Sequence, residues 1–243
     1  MCGVPYHSAS VYIEKLVDKG YKVGICEQME DPRTAKGIVK RDLVQIVSKG
    51  TIINENLNEK ENNYIGSIMD FDHAYVISYS DISTGEIYSK MVSHNTTDLI
   101  SEVINLGLKE VILQSKVDKN IYSFLKNQYH LAVSTYDEIK DDSNYEYIYS
   151  QLNDYRIINS LKHLLSYITD TQKRNLSHFQ KVVIKENKNY LKMDVHTKRN
   201  LELVETLRLK ERTHSLIWLL DKTKTAMGSR MLKTMIENPL VDI

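Results

Sequence analysis

The stretch from residue 64 to residue 92, YIGSIMDFDHAYVISYSDISTGEIYSKMV, decides the fold of the central part of this 243-residue chain. Within it, Asp81-Ile82-Ser83-Thr84-Gly85 is typical of a hairpin turn, because Gly85 can adopt a positive φ without steric cost. The flanking runs are rich in β-branched and aromatic side chains and therefore predict three strands: Tyr64–Met69, Tyr75–Tyr79 and Glu86–Val92. The stretch predicts an antiparallel sheet.

Helical and strand-like segments alternate along the chain after this sheet. Thr96–Leu106 and Ile121–Asn127 have helical patterns, whereas Glu110–Leu113 and Leu131–Ser134 are short runs typical of strands. Antiparallel strands followed by this alternation predict a layered α/β domain.

Beyond about Asn144 the sequence predicts helices. The clearest is Arg156–Asp170, where apolar side chains recur at the spacing of one continuous helix face. We expect Trp218 to lie in a core and Gly228 to permit close packing. Three further helices precede Pro239, which cannot continue one: Asp194–Lys210, Ser215–Lys222 and Ala226–Glu237.

The first 50 residues predict one helix and two strands. The helix spans Ser8–Lys19, with Ser8 as its N-cap and Gly20 as the left-handed residue after its end. Cys26 is expected to be a small core residue within the first strand. The strands are Tyr21–Glu27 and a run within Gly37–Val47, and a turn at Asp31-Pro32 separates them. Residues 51–63 are predicted to form a linker.

The composition excludes several classes of protein. Hydrophobic residues make up 42% and charged residues 26%, which is ordinary for a soluble globular protein. Two cysteines are too few for a disulfide scaffold and suit a reducing compartment. No apolar run approaches the length of a membrane-spanning helix. We therefore expect a cytoplasmic protein with no membrane partner.

The net charge of zero conceals an uneven distribution. Residues 1–50 carry 8 basic and 6 acidic side chains (+2), residues 51–150 carry 7 and 16 (−9), and residues 151–243 carry 17 and 10 (+7). Such asymmetry suggests segments with different partners, the basic ones facing polyanions. The alternative is that these charged side chains lie on solvated surfaces and bind no partner.

A set of carboxylates is the one candidate for metal chemistry, since the chain contains no phosphate-binding glycine loop, no His-Glu-x-x-His and no Cys-x-x-Cys. Two metal ions could be held for phosphodiester cleavage by carboxylates in this strand and helix order. The alternative is that Asp81 stabilises its turn and the others are solvated. The set comprises Asp81, Glu102 and the downstream Asp137, Asp141 or Asp142.

The segment Gly3-Val4-Pro5-Tyr6-His7-Ser8 is a candidate nucleic-acid contact. A loop that enters a helix N-terminus offers amide donors to phosphate, and its Tyr and His offer flat rings to sugar or base. The alternative is that the loop only packs within its own domain.

Seven blocks of sequence resemble the MutS family of bacterial DNA mismatch repair proteins. They occur in the same order over the whole chain, which makes their combination specific. One departure is Ser48-Lys49-Gly50-Thr51, where the family usually has Thr-Pro-Gly-Thr, and a second is Ala226, where Pro is common. The blocks are Met1–Ser8, Ile25–Gln28 with Glu30–Pro32, Lys36–Arg41, Asp81–Gly85, Asp170–Arg174, Met193–Asp194 with Thr197–Glu202, and Met227–Lys233.

The resemblance implies a multidomain fold, α/β in its first parts and all-α in its last. Residues 1–50 would be the C-terminal half of a mixed α+β mismatch-binding domain. Residues 51–172 would be a connector with a ribonuclease-H-like fold and no nuclease activity. Residues 173–243 would begin a helical core and lever domain.

The resemblance also implies partners and site residues. Family members are homodimers that recognise mispaired or unpaired bases in duplex DNA, then use ATP and Mg²⁺ to form a sliding clamp that recruits MutL, here through the connector. The resemblance implies that this chain has no catalytic, metal or cofactor residue. It also implies that the protein is associated with the nucleoid in a bacterial cytoplasm. The residues expected at the DNA backbone are Met1, Gly3, Pro5, Tyr6, His7 and Ser8.

Two further expectations accompany this reading. The family's Phe-x-Glu motif and its ATPase domain are absent from the sequence, so we expect a fragment of a longer protein. The alternative functions are a metal-dependent ribonuclease-H-like nuclease centred on Asp81 and a protein-interaction module that docks MutL.

Overall fold

A computed structural model describes residues 3–31, 37–52, 62–173, 176–185, 190–191, 193 and 195–241. Its first unit consists of helix α1 (Tyr6–Asp18) and the antiparallel strands β1 (Val23–Gln28) and β2 (Arg41–Val47). In the described part of this first unit the core is small: Val17, Val47 and Ile52 are buried, and Ile13, Val23 and Ile25 pack against them.

Two expectations for the first unit are wrong. The helix begins at Tyr6, not Ser8, because Pro5 supplies a φ of −60° before it and serves as the N-cap. Cys26 is exposed, because it lies on the face of β1 opposite the half-buried Val23 and Ile25. Gly20 does take a positive φ, of 83°, as predicted. Pro32 and most of the linker lie outside the described residues.

The central unit is built on a six-stranded mixed sheet. The meander of β3 (Tyr64–Asp70), β4 (Ala74–Asp81) and β5 (Glu86–Ser93) is antiparallel, which confirms the three predicted strands. Strands β6 (Glu110–Leu113) and β7 (Ala132–Thr135) extend it in parallel from β3. A short strand, β8 (Val183–Ile184), pairs in parallel with β5 and was not predicted. The order is β7-β6-β3-β4-β5-β8.

Helices cover both faces of this sheet. Helices α2 (Thr96–Asn105) and α3 (Lys119–Asn127) pack on one face through side chains such as Leu99 and Leu125. A short 3₁₀ turn (Ser143–Tyr145) and helix α4 (Glu146–Tyr149) lead to helix α5 (Tyr155–Gln172), which packs on the other face. The structure is therefore the layered α/β arrangement that the sequence predicts.

The C-terminal part contains three short helices. They are α6 (Val195–Asn200), α7 (Leu216–Leu220) and α8 (Ala226–Glu237), of which α8 has the predicted bounds. The predicted helix to Lys210 ends at Asn200, because Glu202 adopts a positive φ of 49° and its carboxylate accepts the Leu207 N–H at 2.7 Å.

The contacts between α7 and α8 explain one block of the sequence. The carboxylate of Asp221 accepts the hydroxyl of Ser229 at 2.6 Å and pairs with Arg212. A Cβ at Gly228 would lie 3.1 Å from the Cβ of Thr223, so glycine permits this close approach.

The prediction that Trp218 lies in a core is wrong. Its side chain is 47% exposed. Within the described ranges, no helix is long and apolar enough to cross a membrane.

A buried histidine holds α5 against the sheet. His163 is fully buried, its Nδ1 accepts the hydroxyl of Ser67 at 2.7 Å, and its Nε2 donates to the carbonyl of Tyr136 at 2.7 Å. This pairing fits the neutral ring, and burial lowers the pKa of His163 below its ordinary value of 6.5.

We predict that the unfolding free energy falls as the pH drops below about 6.5, since the unfolded chain then takes up a proton on His163 that the folded chain excludes. His163→Gln should be less stable at pH 7.5 and should lose less stability on acidification to pH 5.5. Urea denaturation at both pH values measures this. The exposed His73→Gln serves as the control, and an unchanged pH dependence in His163→Gln would contradict the prediction.

Candidate nucleic-acid interface

The predicted contact segment forms the entry to α1. Gly3, Val4 and Pro5 run into the helix, and the backbone of Pro5 is extended, with φ −60° and ψ 141°. Apart from the Ser8 N–H, which donates to the carbonyl of Pro5, the amides at the start of a helix lack carbonyl partners one turn earlier, and together with the helix dipole they favour an anion at this end. The entry to α1 is therefore chemically suited to a phosphate group.

Two side chains of this segment extend into solvent. Tyr6 is 92% exposed and His7 is exposed, although aromatic side chains of this size usually bury much of their surface. Neither ring is used to stabilise the first unit in the way that Val17 is. They are available for contact with a flat or anionic partner.

Ser8 is not the N-cap that the sequence predicted. Both its N–H and its hydroxyl donate to the carbonyl of Pro5 at 3.0 Å, so the side chain closes the first turn. The structure thus brings Gly3, Pro5, Tyr6, His7 and Ser8 together as one short segment, while Met1 lies outside the described residues.

The first unit is joined to the central sheet by a buried carboxylate, Glu110, at the start of β6. One of its oxygens, Oε2, accepts the hydroxyl of Ser48 and the N–H of Gly50, the latter at 3.1 Å. The other, Oε1, accepts the hydroxyls of Ser134 and Tyr167, both at 2.7 Å. Four donors for two oxygens fit the ionised form, which accepts only.

The hydroxyl of Tyr167 connects this cluster to α1 and β1. Lys22, between those two elements, donates to it at 3.0 Å, and burial raises the pKa of Tyr167 so that the phenol remains a donor. A second bridge runs from the Gln45 side chain on β2 to the Gln172 side chain at the end of α5, at 2.9 Å. The hydrogen bonds made by Lys22, Gln45, Ser48 and Gly50 thus join the first unit to the sheet or to α5.

Glu110 was not predicted as a site residue, because the sequence pattern placed it only in a strand. One signal was available: it is a charged residue at the start of a run that is otherwise apolar, Val111, Ile112 and Leu113, and such a strand is buried on both faces. A carboxylate in that position needs donors from elsewhere in the chain.

The acidic side chains considered for metal binding do not form a cluster, because each has a different partner. Asp81 is 1% exposed and accepts the N–H groups of Asn63 and Ser83 at 3.0 and 2.9 Å, so it stabilises its turn. Each of the others has a separate partner: Glu102 pairs with Lys90, Asp137 with Ser115, and Asp141 with Lys162, while Asp142 caps the 3₁₀ turn. Among the described residues, no group of three or more His, Cys, Asp or Glu is placed to hold a metal ion.

Comparisons with known proteins match nearly the whole chain. Three family models match in order: MutS domain I over residues 1–56, MutS domain II over residues 63–180 and MutS domain III over residues 196–243. DNA mismatch repair proteins MutS of Oceanobacillus iheyensis and Bacillus cereus are 46% and 44% identical over 99% of this chain. The chain spans only 28% of the length of each.

We predict that Asp81→Asn lowers the free energy of unfolding by about 1–3 kcal/mol, because one of its buried oxygens becomes an amide donor facing the donors of the turn. Urea denaturation measures the change. Asp72→Asn, an exposed acid in the neighbouring turn, should leave stability nearly unchanged. Equal denaturation midpoints for Asp81→Asn and the parent chain would show that the turn does not need the carboxylate.

Proposed function

This chain belongs to the MutS family of DNA mismatch repair proteins, and we propose that it contributes a DNA-backbone contact and a connector to such a protein. The proposal rests on one observation above all. The segment that enters α1, which lies in the MutS domain I match, presents Tyr6 and His7 to solvent beside first-turn amides. Contacts of this kind fix the position of DNA without reading its sequence.

In this proposal the backbone contact and the recognition of a mispair are separate tasks. A mispair lowers the cost of unstacking, so a wedge side chain can kink the duplex there more easily. The family's Phe-x-Glu motif, which supplies that wedge, does not occur in the sequence. The segment from Gly3 to Ser8 would therefore hold DNA whether or not it contains a mispair, as would Met1 if it extends the same surface.

We propose that the central unit is a ribonuclease-H-like connector that docks MutL rather than cutting nucleic acid. The antiparallel order β5-β4-β3, extended in parallel by β6 and β7, supports this fold. The excess of acidic side chains in residues 51–150 supports a docking role, since it suits a partner with a basic surface.

The remaining activities of the family are proposed for the whole protein rather than for this chain. They are homodimerisation, ATP hydrolysis with Mg²⁺ and formation of a sliding clamp. We assign no catalytic, cofactor or metal residue to the chain itself.

We predict that the chain binds duplex DNA weakly, with an affinity that falls steeply with salt and is equal for matched and G·T-containing duplexes. Tyr6→Ala and His7→Ala should each weaken binding about five-fold through the loss of one contact. Fluorescence anisotropy over a series of salt concentrations measures both effects. Tyr21→Ala is the control, because Tyr21 is also an exposed tyrosine but lies beyond the other end of α1.

Two results would overturn this assignment. One is a clear preference for the mispaired duplex. The other is an equal loss of affinity in Tyr21→Ala and Tyr6→Ala, which would mean that the entry to α1 is not the contact.

We predict that neutralising two exposed acids of the connector reduces capture of MutL. Glu138 and Asp141 have side chains that are 66% and 80% exposed. The double variant Glu138→Gln, Asp141→Asn should bind several-fold more weakly, with a smaller dependence on salt, because it removes two favourable charges. Pull-down with purified MutL tests this, with Glu27→Gln on β1 as the control. Undiminished capture by the double variant would contradict the role of this surface.

A further inference from the structure

We propose that Glu110 is a positioning residue, whose buried carboxylate locks the first unit onto the central sheet. Its own strand, β6, belongs to the centre of the fold, yet two of its four donors, Ser48 and Gly50, come from the turn that follows β2. The carboxylate is fully buried, so water cannot replace a donor that leaves. Separation of the two units would therefore expose or orphan a charge.

The turn after β2 is shaped to meet this carboxylate. A Cβ at Gly50 would lie 2.8 Å from the Cβ of Glu110 and 3.0 Å from that of Ile65, so the backbone of the turn rests directly against β6 and β3. The hydroxyl of Thr51 accepts the N–H of Ser48 at 2.8 Å and keeps Ser48 in place.

Among the residues that the structure describes, the first unit has a small hydrophobic core, and its strand β2 also packs against α5. Its buried cluster comprises Val17, Val47 and Ile52, with Ile13, Val23 and Ile25 partly buried against it. A cluster of that size gives limited stabilisation by burial alone. The further polar links, Lys22 to Tyr167 and Gln45 to Gln172, end on the same helix, α5, and Tyr167 itself donates to Glu110. Three of the links from the first unit, those of Ser48, Gly50 and Lys22, thus reach Glu110 directly or through Tyr167, whereas the Gln45–Gln172 link is separate.

The lock would fix the entry to α1 relative to the connector. This consequence for DNA rests on the function proposed above, whereas the lock itself does not. A test that uses no DNA and no partner therefore separates the two.

Hydrogen–deuterium exchange of the intact chain tests the lock. Ser48→Ala removes one of the two donors on the side of the first unit and leaves the Gly50 N–H, Glu110, Ser134 and Tyr167 in place. It should speed amide exchange in β1 and β2 about ten-fold, through the loss of one charge-assisted hydrogen bond, without changing exchange in β3, β4 and β5. Glu110→Gln should have the same effect on β1 and β2.

Ser78→Ala is the matched control. Ser78 is also a fully buried serine whose hydroxyl is hydrogen-bonded, to Ser89 at 3.0 Å, but it lies in the sheet and away from the first unit. This variant should speed exchange in β4 and β5 and leave β1 and β2 unchanged.

Ser48→Ala decides the result even if Glu110→Gln fails to fold. The proposal is wrong if exchange in β1 and β2 is unchanged in Ser48→Ala. It is also wrong if that exchange rises only together with exchange in β3, β4 and β5, because the loss would then be one of overall stability rather than of position.

Discussion

A carboxylate that leaves water needs donors for its oxygens, and Glu110 obtains them from two separate parts of the chain. Ser134 and Tyr167 belong to the central unit, whereas Ser48 and Gly50 belong to the turn after β2. The central unit buries the carboxylate of Glu110, and the first unit supplies two of the four hydrogen bonds that replace its contacts with water. The small first unit is thereby held by polar contacts to a larger body that has two hydrophobic layers of its own.

This arrangement relates the two proposed surfaces of the chain. The entry to α1, with Tyr6 and His7, belongs to the first unit, and the acidic surface belongs to the central unit. The proposed function, a contact with DNA and the docking of a partner, needs a defined geometry between these surfaces. A buried hydrogen bond is either formed or broken at a cost. The two units therefore have discrete relative positions and do not slide continuously past one another.

The elements of the fold that follow from local pattern were predictable from the sequence. The three strands around Gly85 and the long helix α5 were predicted correctly, because alternation, turn chemistry and helical spacing are encoded within each segment. Gly85 has a φ of 73°, and a Cβ there would lie 2.4 Å from the carbonyl oxygen of His178.

Features that depend on distant partners were not predictable. Strand β8 has only two residues and exists because β5 offers it an edge. Cys26 and Trp218 were expected in cores and are exposed, because the covered face of a strand or helix depends on what packs against it. In the candidate site, the segment from Gly3 to Ser8 was identified from its composition and from the family resemblance. Glu110 was missed, because its donors lie 62 and 60 residues before it and 24 and 57 residues after it.

The distance between the two units tests the central claim most directly. Spin labels at Lys15→Cys on α1 and Asn127→Cys at the end of α3, with Cys2 and Cys26 replaced by Ser, report that distance by pulsed electron paramagnetic resonance. If Glu110 sets the position of the first unit, the distance distribution is single and narrow in the labelled parent chain and broad in Glu110→Gln. An equally narrow distribution at the same distance in Glu110→Gln would contradict the account.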